Sequence, residues 1–107
     1  MNSFDNKEKA EENKYAYDKE TQFKIHARYQ SHLADWVGHK LHLDAEKLKE
    51  YKTTLITYNM THHDDKALLD KIKHDFLVRD IHVNEHEIRQ SMHDLLQKAT
   101  KEIHGKA

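Results

Sequence analysis

The sequence predicts an all-α protein, a small antiparallel four-helix bundle with a long first helix behind a charged N-terminal segment. Three observations lead to the fold class. The 107 residues include no proline and only two glycines, Gly38 and Gly105, whereas turn-rich β architectures draw on both types repeatedly. Apolar residues recur every three or four positions in four separate stretches, which is the period of a helix face. Hydrophobic residues make up 36% of the chain and charged residues 35%, a balance that suits narrow helices, each apolar along one stripe. A chain of this length supports one domain with a modest core.

The first twenty residues, MNSFDNKEKAEENKYAYDKE, stand apart. They are dense in charge and offer almost nothing to bury. Asp5 with Glu8 forms a D-x-x-E capping box, in which the first carboxylate accepts from free helical N–H groups and the second reaches back. Lys7 with Glu11 and Lys14 with Asp18 are oppositely charged i, i+4 pairs, in the less favoured order. Phe4 and Tyr15 are eleven residues apart and return to nearly the same angle of an ideal helix, since three turns take about 10.8 residues. A segment that starts a helix well but has no core to join is either a solvated extension or a ligand for another protein. These residues alone leave both readings open.

The first helix is expected over about residues 20–41. Phe23, Ala27, Gln30, Ala34, Val37 and Leu41 form its stripe, with Ile25, Leu33 and Trp36 alongside, so Phe23 reads as core. Asp44 is the expected N-cap of a second helix over about 45–59, whose stripe is Ala45, Leu48, Tyr51, Leu55 and Tyr58. Asn59–His63 is expected to break it, and Thr61 with Asp64 reads as a second capping box. Leu68, Leu69, Ile72 and Phe76 carry a third helix over about 64–79, with Leu77 and Val78 near its end. Ile81 and Val83 in the next connector are expected to plug the end of the core. Asn84 with Glu87 opens a fourth helix over about 85–104, through Ile88, Met92, Leu95, Leu96, Ala99 and Ile103, and Gly105 stands where a left-handed terminating residue would. Short connections make neighbouring helices antiparallel. The chain thus divides into a segment, 1–19, and a bundle, 20–107.

Several function classes fit poorly. The formal net charge of -1 lacks the basic excess of a nucleic-acid binder. Tyr15, Tyr17, Phe23 and Tyr29 lie among lysines and arginines, but Glu11, Glu12, Asp18 and Glu20 are interleaved with them. There is no cysteine, so no thiolate chemistry, and no apolar run long enough to span a bilayer. The N-terminus has no apolar signal-peptide core, and a cytoplasmic protein is expected. Eleven histidines raise a metal reading through His82 and His86, His86 and His93, and His62 and His63. However, no H-E-x-x-H or Glu-x-x-His motif occurs, and the inward positions are apolar. No metal, no cofactor and no enzymatic activity are expected.

Taken together, Phe4-Asp5, Lys7-Glu8-Lys9-Ala10, Lys14-Tyr15-Ala16, Asp18, Glu20, Phe23-Lys24, Ala27-Arg28 and Trp36 form a gap-free pattern. Lys40-Leu41 and the trio Asn84, His86 and Gln90 extend it. In these residues the sequence resembles the ATPase inhibitor subunit zeta family of alphaproteobacterial F-type ATP synthases, over essentially the whole chain. The resemblance implies a four-helix bundle carrying a mobile N-terminal segment. That segment would insert as a helix at a catalytic α/β interface, reach the rotor subunit γ and block rotation in the hydrolytic direction. It assigns partner-binding roles to Phe4, Asp5, Lys7, Glu8, Lys9, Ala10, Lys14, Tyr15, Ala16 and Asp18. It further implies a protein that is monomeric when free and peripheral to the membrane-bound enzyme. Three positions depart from the pattern. Glu11 stands where an aromatic is common, Tyr29-Gln30 where a basic residue and Asn are common, and Tyr17 where His is usual. The alternatives are a helical interaction module of the same fold with weak or lost inhibition, or a weak His-dependent metal or adenine-nucleotide binder.

Overall fold

The computed structural model describes residues 19–62 and 64–104, which form four helices: α1 (Lys19–Lys40), α2 (Ala45–Thr61), α3 (Asp65–Val78) and α4 (Glu85–His104). The Asp5–Glu8 capping box, His63 and Gly105 lie outside the described residues. α1 packs along both α2 and α4, and α4 also packs on α3. The α1–α2 register is antiparallel: Gly38 lies against Leu48, Asp35 pairs with Lys52 at 2.8 Å, and His26 meets Asn59 at 3.2 Å. The α1–α4 register is antiparallel too, with Lys40 on Glu87 and His32 on Glu102.

One continuous core joins all four helices. Leu33, Ala34 and Val37 of α1 meet Leu55 of α2, Leu68, Ile72 and Phe76 of α3, and Ile88 and Ala99 of α4. Full burial of each large apolar side chain stabilises the fold by about 1.5–3 kcal/mol before its entropy cost. The Trp36 ring meets Phe76 edge-on, with centroids 6.0 Å apart. Ile81 and Val83 pack against the core from the α3–α4 connector, as expected.

Carboxylate and amide caps start three helices. Asp44 accepts from the Lys47 N–H at 2.8 Å, and Asn84 accepts from the Glu87 N–H at 2.8 Å. Asp64 accepts from the N–H groups of Lys66 and Ala67 and so caps α3 itself. Thr61 is the last residue of α2, and its hydroxyl bonds back to the Tyr58 carbonyl, so the expected Thr61–Asp64 box does not form. With so few glycines, two helices end on other residues. His42 and Asp80 both take positive φ, 58° and 57°. At each, a pair of backbone bonds closes a Schellman cap: His42 to His39 with Leu43 to Gly38, and Asp80 to Leu77 with Ile81 to Phe76.

Two expectations about helix faces are corrected. α2 does not break at Asn59 but runs on to Thr61, because Asn59 is buried and its amide has a partner on α1. Phe23 is not core: it is 74% exposed, and Ala27 is exposed too. Both share the core-facing side of α1, but they lie opposite the last turn of α2, where that helix runs out. Ala45, at the other end of α2, is exposed as well.

Candidate functional site

The end of the bundle where α1 begins is the end that residues 1–18 must join. The first two turns of α1 are largely exposed, and Lys24 reaches back to Glu20 at 3.4 Å. Here α1 and α2 enclose a cleft of about 270 Å³. Phe23 and Met60 stand at its mouth, Ala27 and Ile56 line its wall, and the side chains of Gln30 and Asn59 close its floor. The Asn59 amide donates to His26 Nε2. No buried side-chain polar atom among the described residues lacks a partner, so the cleft has a satisfied polar floor beneath an apolar mouth.

On the neighbouring face, His32 Nε2 contacts Glu102 Oε1 at 2.6 Å, and Arg28 approaches the same oxygen at 3.9 Å. The hydrogen bond from His32 first, then the positive charges of His32, Arg28 and Lys98, hold the Glu102 carboxyl below its usual range. A second cleft, of about 300 Å³, opens between α1, α3 and α4. Tyr29 lies within it, and its phenol is pushed up to about 12, by burial and then by the Asp65 carboxylate. Between α2 and α3, Tyr51 donates to Asp75 at 2.7 Å while Lys71 holds the same carboxylate at 3.0 Å. Burial first, and then Asp75, raise the Tyr51 phenol far above its ordinary value.

Four of the described histidines, His26, His32, His62 and His82, make contacts within the bundle. His62 stacks on Tyr58 with ring centroids 4.0 Å apart, His82 lies 3.3 Å from Asp80, and His26 and His32 tie α1 to its neighbours. Among the described residues no group of three or more His, Cys, Asp or Glu is placed to hold a metal ion. No helix there is long and apolar enough to cross a membrane.

Phe4, Asp5, Lys7, Glu8, Lys9, Ala10, Lys14, Tyr15, Ala16 and Asp18 all lie outside the described residues. The structure supplies the point at which they attach to the bundle. Sequence reasoning missed the Phe23–Met60 pair at that point. The available signal was the antiparallel register, which sets Phe23 against the end of α2.

A family model described as ATPase inhibitor subunit zeta matches residues 1–102, taking in both the N-terminal segment and nearly all of the bundle. No curated protein and no solved structure matches the chain. On a match of this extent, the chain belongs to the ATPase inhibitor subunit zeta family.

Proposed function

We propose that this protein inhibits ATP hydrolysis by the F-type ATP synthase through its N-terminal segment. Asp5 to Lys19 enters the catalytic head as a helix at an α/β interface, meets the rotor subunit γ, and blocks rotation in the hydrolytic direction. The observation that carries this reading is the reach of the family match. It starts at residue 1 and includes the segment equipped with a helix start and no apolar stripe.

The chemistry of the segment suits the task. Ordering a free chain costs roughly 1–2 kcal/mol per residue in backbone entropy. The Asp5–Glu8 cap and the abundance of Ala, Glu and Lys lower that cost by specifying helix locally. Phe4 and Tyr15 act as aromatic anchors. Lys7, Lys9 and Lys14 meet carboxylates, and Ala10 and Ala16 let backbones approach closely. Asp18 closes the segment before α1. The protein acts as a regulator with no chemistry or cofactor of its own, held to the membrane-bound synthase through the head and without inserting into the bilayer.

The test is ATP hydrolysis by the cognate enzyme with the full chain and with residues 1–18 deleted. Full-length protein is expected to suppress hydrolysis and the deletion to leave it untouched. Equal inhibition by both would sink the N-terminal mechanism. No inhibition by the full chain would sink the function and leave a helical interaction module.

A further inference from the structure

Two polar side chains grip α1 near its start, one from each neighbouring helix. From α4, Glu102 accepts from His32 Nε2 at 2.6 Å and lies 3.9 Å from Arg28. From α2, the Asn59 amide meets His26 Nε2 at 3.2 Å. The first buried residue of α1 is Tyr29, and before it only Thr21, Ile25 and Arg28 are half-buried. The grips therefore act where α1 emerges from the core. On an ideal helix His26 lies about 160° around from Arg28 and about 120° from His32. A contact on one side of a helix leaves it free to tilt away, whereas contacts on two sides hold its axis.

Neither residue suits the helix that supplies it. Glu102 sits in the last turn of α4, where the partial negative charge of the helix end favours Lys101 and His104 and disfavours a carboxylate. Its carboxyl is nonetheless held below the usual range, first by the hydrogen bond from His32, so the contact with α1 outweighs the helix end. Asn59 is a poor helix former, placed near the end of α2 and buried there. Residues that disagree with their own element occur where the fold or its function needs a particular contact. Here both disagreements converge on the same stretch of α1. Lys19, where residues 1–18 join, lies about 10 Å along the helix from His26, so any tilt at the grips is carried to the point of attachment.

We propose that Glu102 and Asn59 form a two-sided clamp that sets the direction in which α1 leaves the bundle, and that Glu102 is thereby a positioning residue for inhibition. The inference rests on the inhibitory reading above. A clamped α1 offers the attachment point of the segment in one orientation, so less freedom is lost when the segment engages the head. The other end of the same seam supplies a matched control. There Lys40 of α1 meets Glu87 of α4 at 3.4 Å, far from Lys19.

The test reads direction and inhibition separately on the full-length chain. The chain has no cysteine, so spin labels can be set at Lys19→Cys and His86→Cys, exposed positions near the starts of α1 and α4. Pulsed dipolar spectroscopy gives the distribution of distances between them. Unlabelled protein gives the half-inhibition concentration and the final block in ATP hydrolysis by the cognate enzyme. Glu102→Ala is expected to broaden the distribution and to raise the half-inhibition concentration at least about threefold, with the same final block. Glu102→Gln keeps an oxygen that accepts from His32 and is expected to restore both readouts towards wild type. His32→Ala removes the short contact from the other side and should behave as Glu102→Ala does, so the outcome does not hang on one variant folding. His26→Ala should broaden the distribution as well, and Glu87→Ala should match wild type throughout. A distribution as narrow as wild type in Glu102→Ala or in His26→Ala overturns the two-sided clamp. A broadened distribution with unchanged half inhibition overturns the positioning role and leaves the inhibitory reading standing. An equal effect of Glu87→Ala overturns it in favour of a general loosening of the α1–α4 seam. If wild type does not inhibit, the inhibitory reading falls and the positioning role with it, while the distances still decide the clamp.

Discussion

Tyr29 and Tyr51 are the residues whose protons the fold holds hardest. Tyr29 is 5% exposed and its phenol titrates near 12, while Tyr51 donates to a carboxylate that already carries a lysine. An unfolded tyrosine ionises near 10. Below about pH 10 both states keep the proton, and the full contribution to stability is present. As the pH rises past that value, the unfolded chain sheds protons that the folded chain retains. Stability then falls by about 1.4 kcal/mol per pH unit for each tyrosine. Urea midpoints are expected to drop steeply above about pH 10 and less steeply in Tyr29→Phe; a midpoint flat to about pH 11 would contradict the burial of these phenols. Tyr51→Phe should also cost about 1.5 kcal/mol at neutral pH, because Asp75 loses a charge-assisted donor in a half-buried site. Asp80 makes the opposite case. Its positive φ is strained for a residue with a Cβ and free for glycine. Its carboxylate lies 3.3 Å from the exposed His82, a contact of little worth. Asp80→Gly should therefore raise the stability by about 0.5–1 kcal/mol in chemical denaturation.

Between elements, α1 comes close to α2 at Gly38. A Cβ at this position would stand 2.2 Å from Leu48 Cδ1, so α1 and α2 meet where α1 has no side chain. Gly38→Ala gains about 1 kcal/mol of helix propensity but forces Leu48 out of its packed position, an overpacking cost of about 1–3 kcal/mol. The net effect expected is a loss of about 1 kcal/mol, and in a Leu48→Ala background the same change should turn stabilising. Identical effects in both backgrounds would show that the two helices do not meet there. The contact explains what sequence could and could not reveal about the elements. The caps Asp44 and Asn84, the stripe of α3 and most of that of α4 are local signals, so they were legible, although Leu96, expected in the α4 stripe, is 41% exposed. Asn59 inside α2 and Phe23 outside the core depend on which turn of a neighbouring helix lies opposite, and no local pattern encodes that. The ends of α1 and α3 were expected close to where they fall, but the left-handed caps at His42 and Asp80 were hidden for a related reason. Left-handed ends without glycine leave no mark in composition. Of the candidate site, the segment was legible as a cap without a core, while the cleft between Phe23 and Met60 needed the α1–α2 register.

In the whole molecule, the described core and the proposed inhibitory element occupy different stretches of chain. Every buried apolar residue of the described core lies between Tyr29 and Ala99. In the first two turns of α1, Lys24 pairs with Glu20 in an exposed contact that contributes little. Removing residues 1–18 should therefore leave one cooperative unfolding transition, with a midpoint within about 2 °C of the full chain, since the deletion takes no buried side chain from that core. The same deletion is expected to abolish inhibition of ATP hydrolysis. A fall in the midpoint of about 5 °C or more, corresponding to about 1 kcal/mol for a domain of this size, would mean that the segment packs on the free bundle. The bundle would then hold its own inhibitory element until the enzyme displaces it. Separate readouts matter because a deletion that merely unfolded the protein would also stop inhibition. A stable bundle that no longer inhibits is the outcome that places the activity in the first eighteen residues.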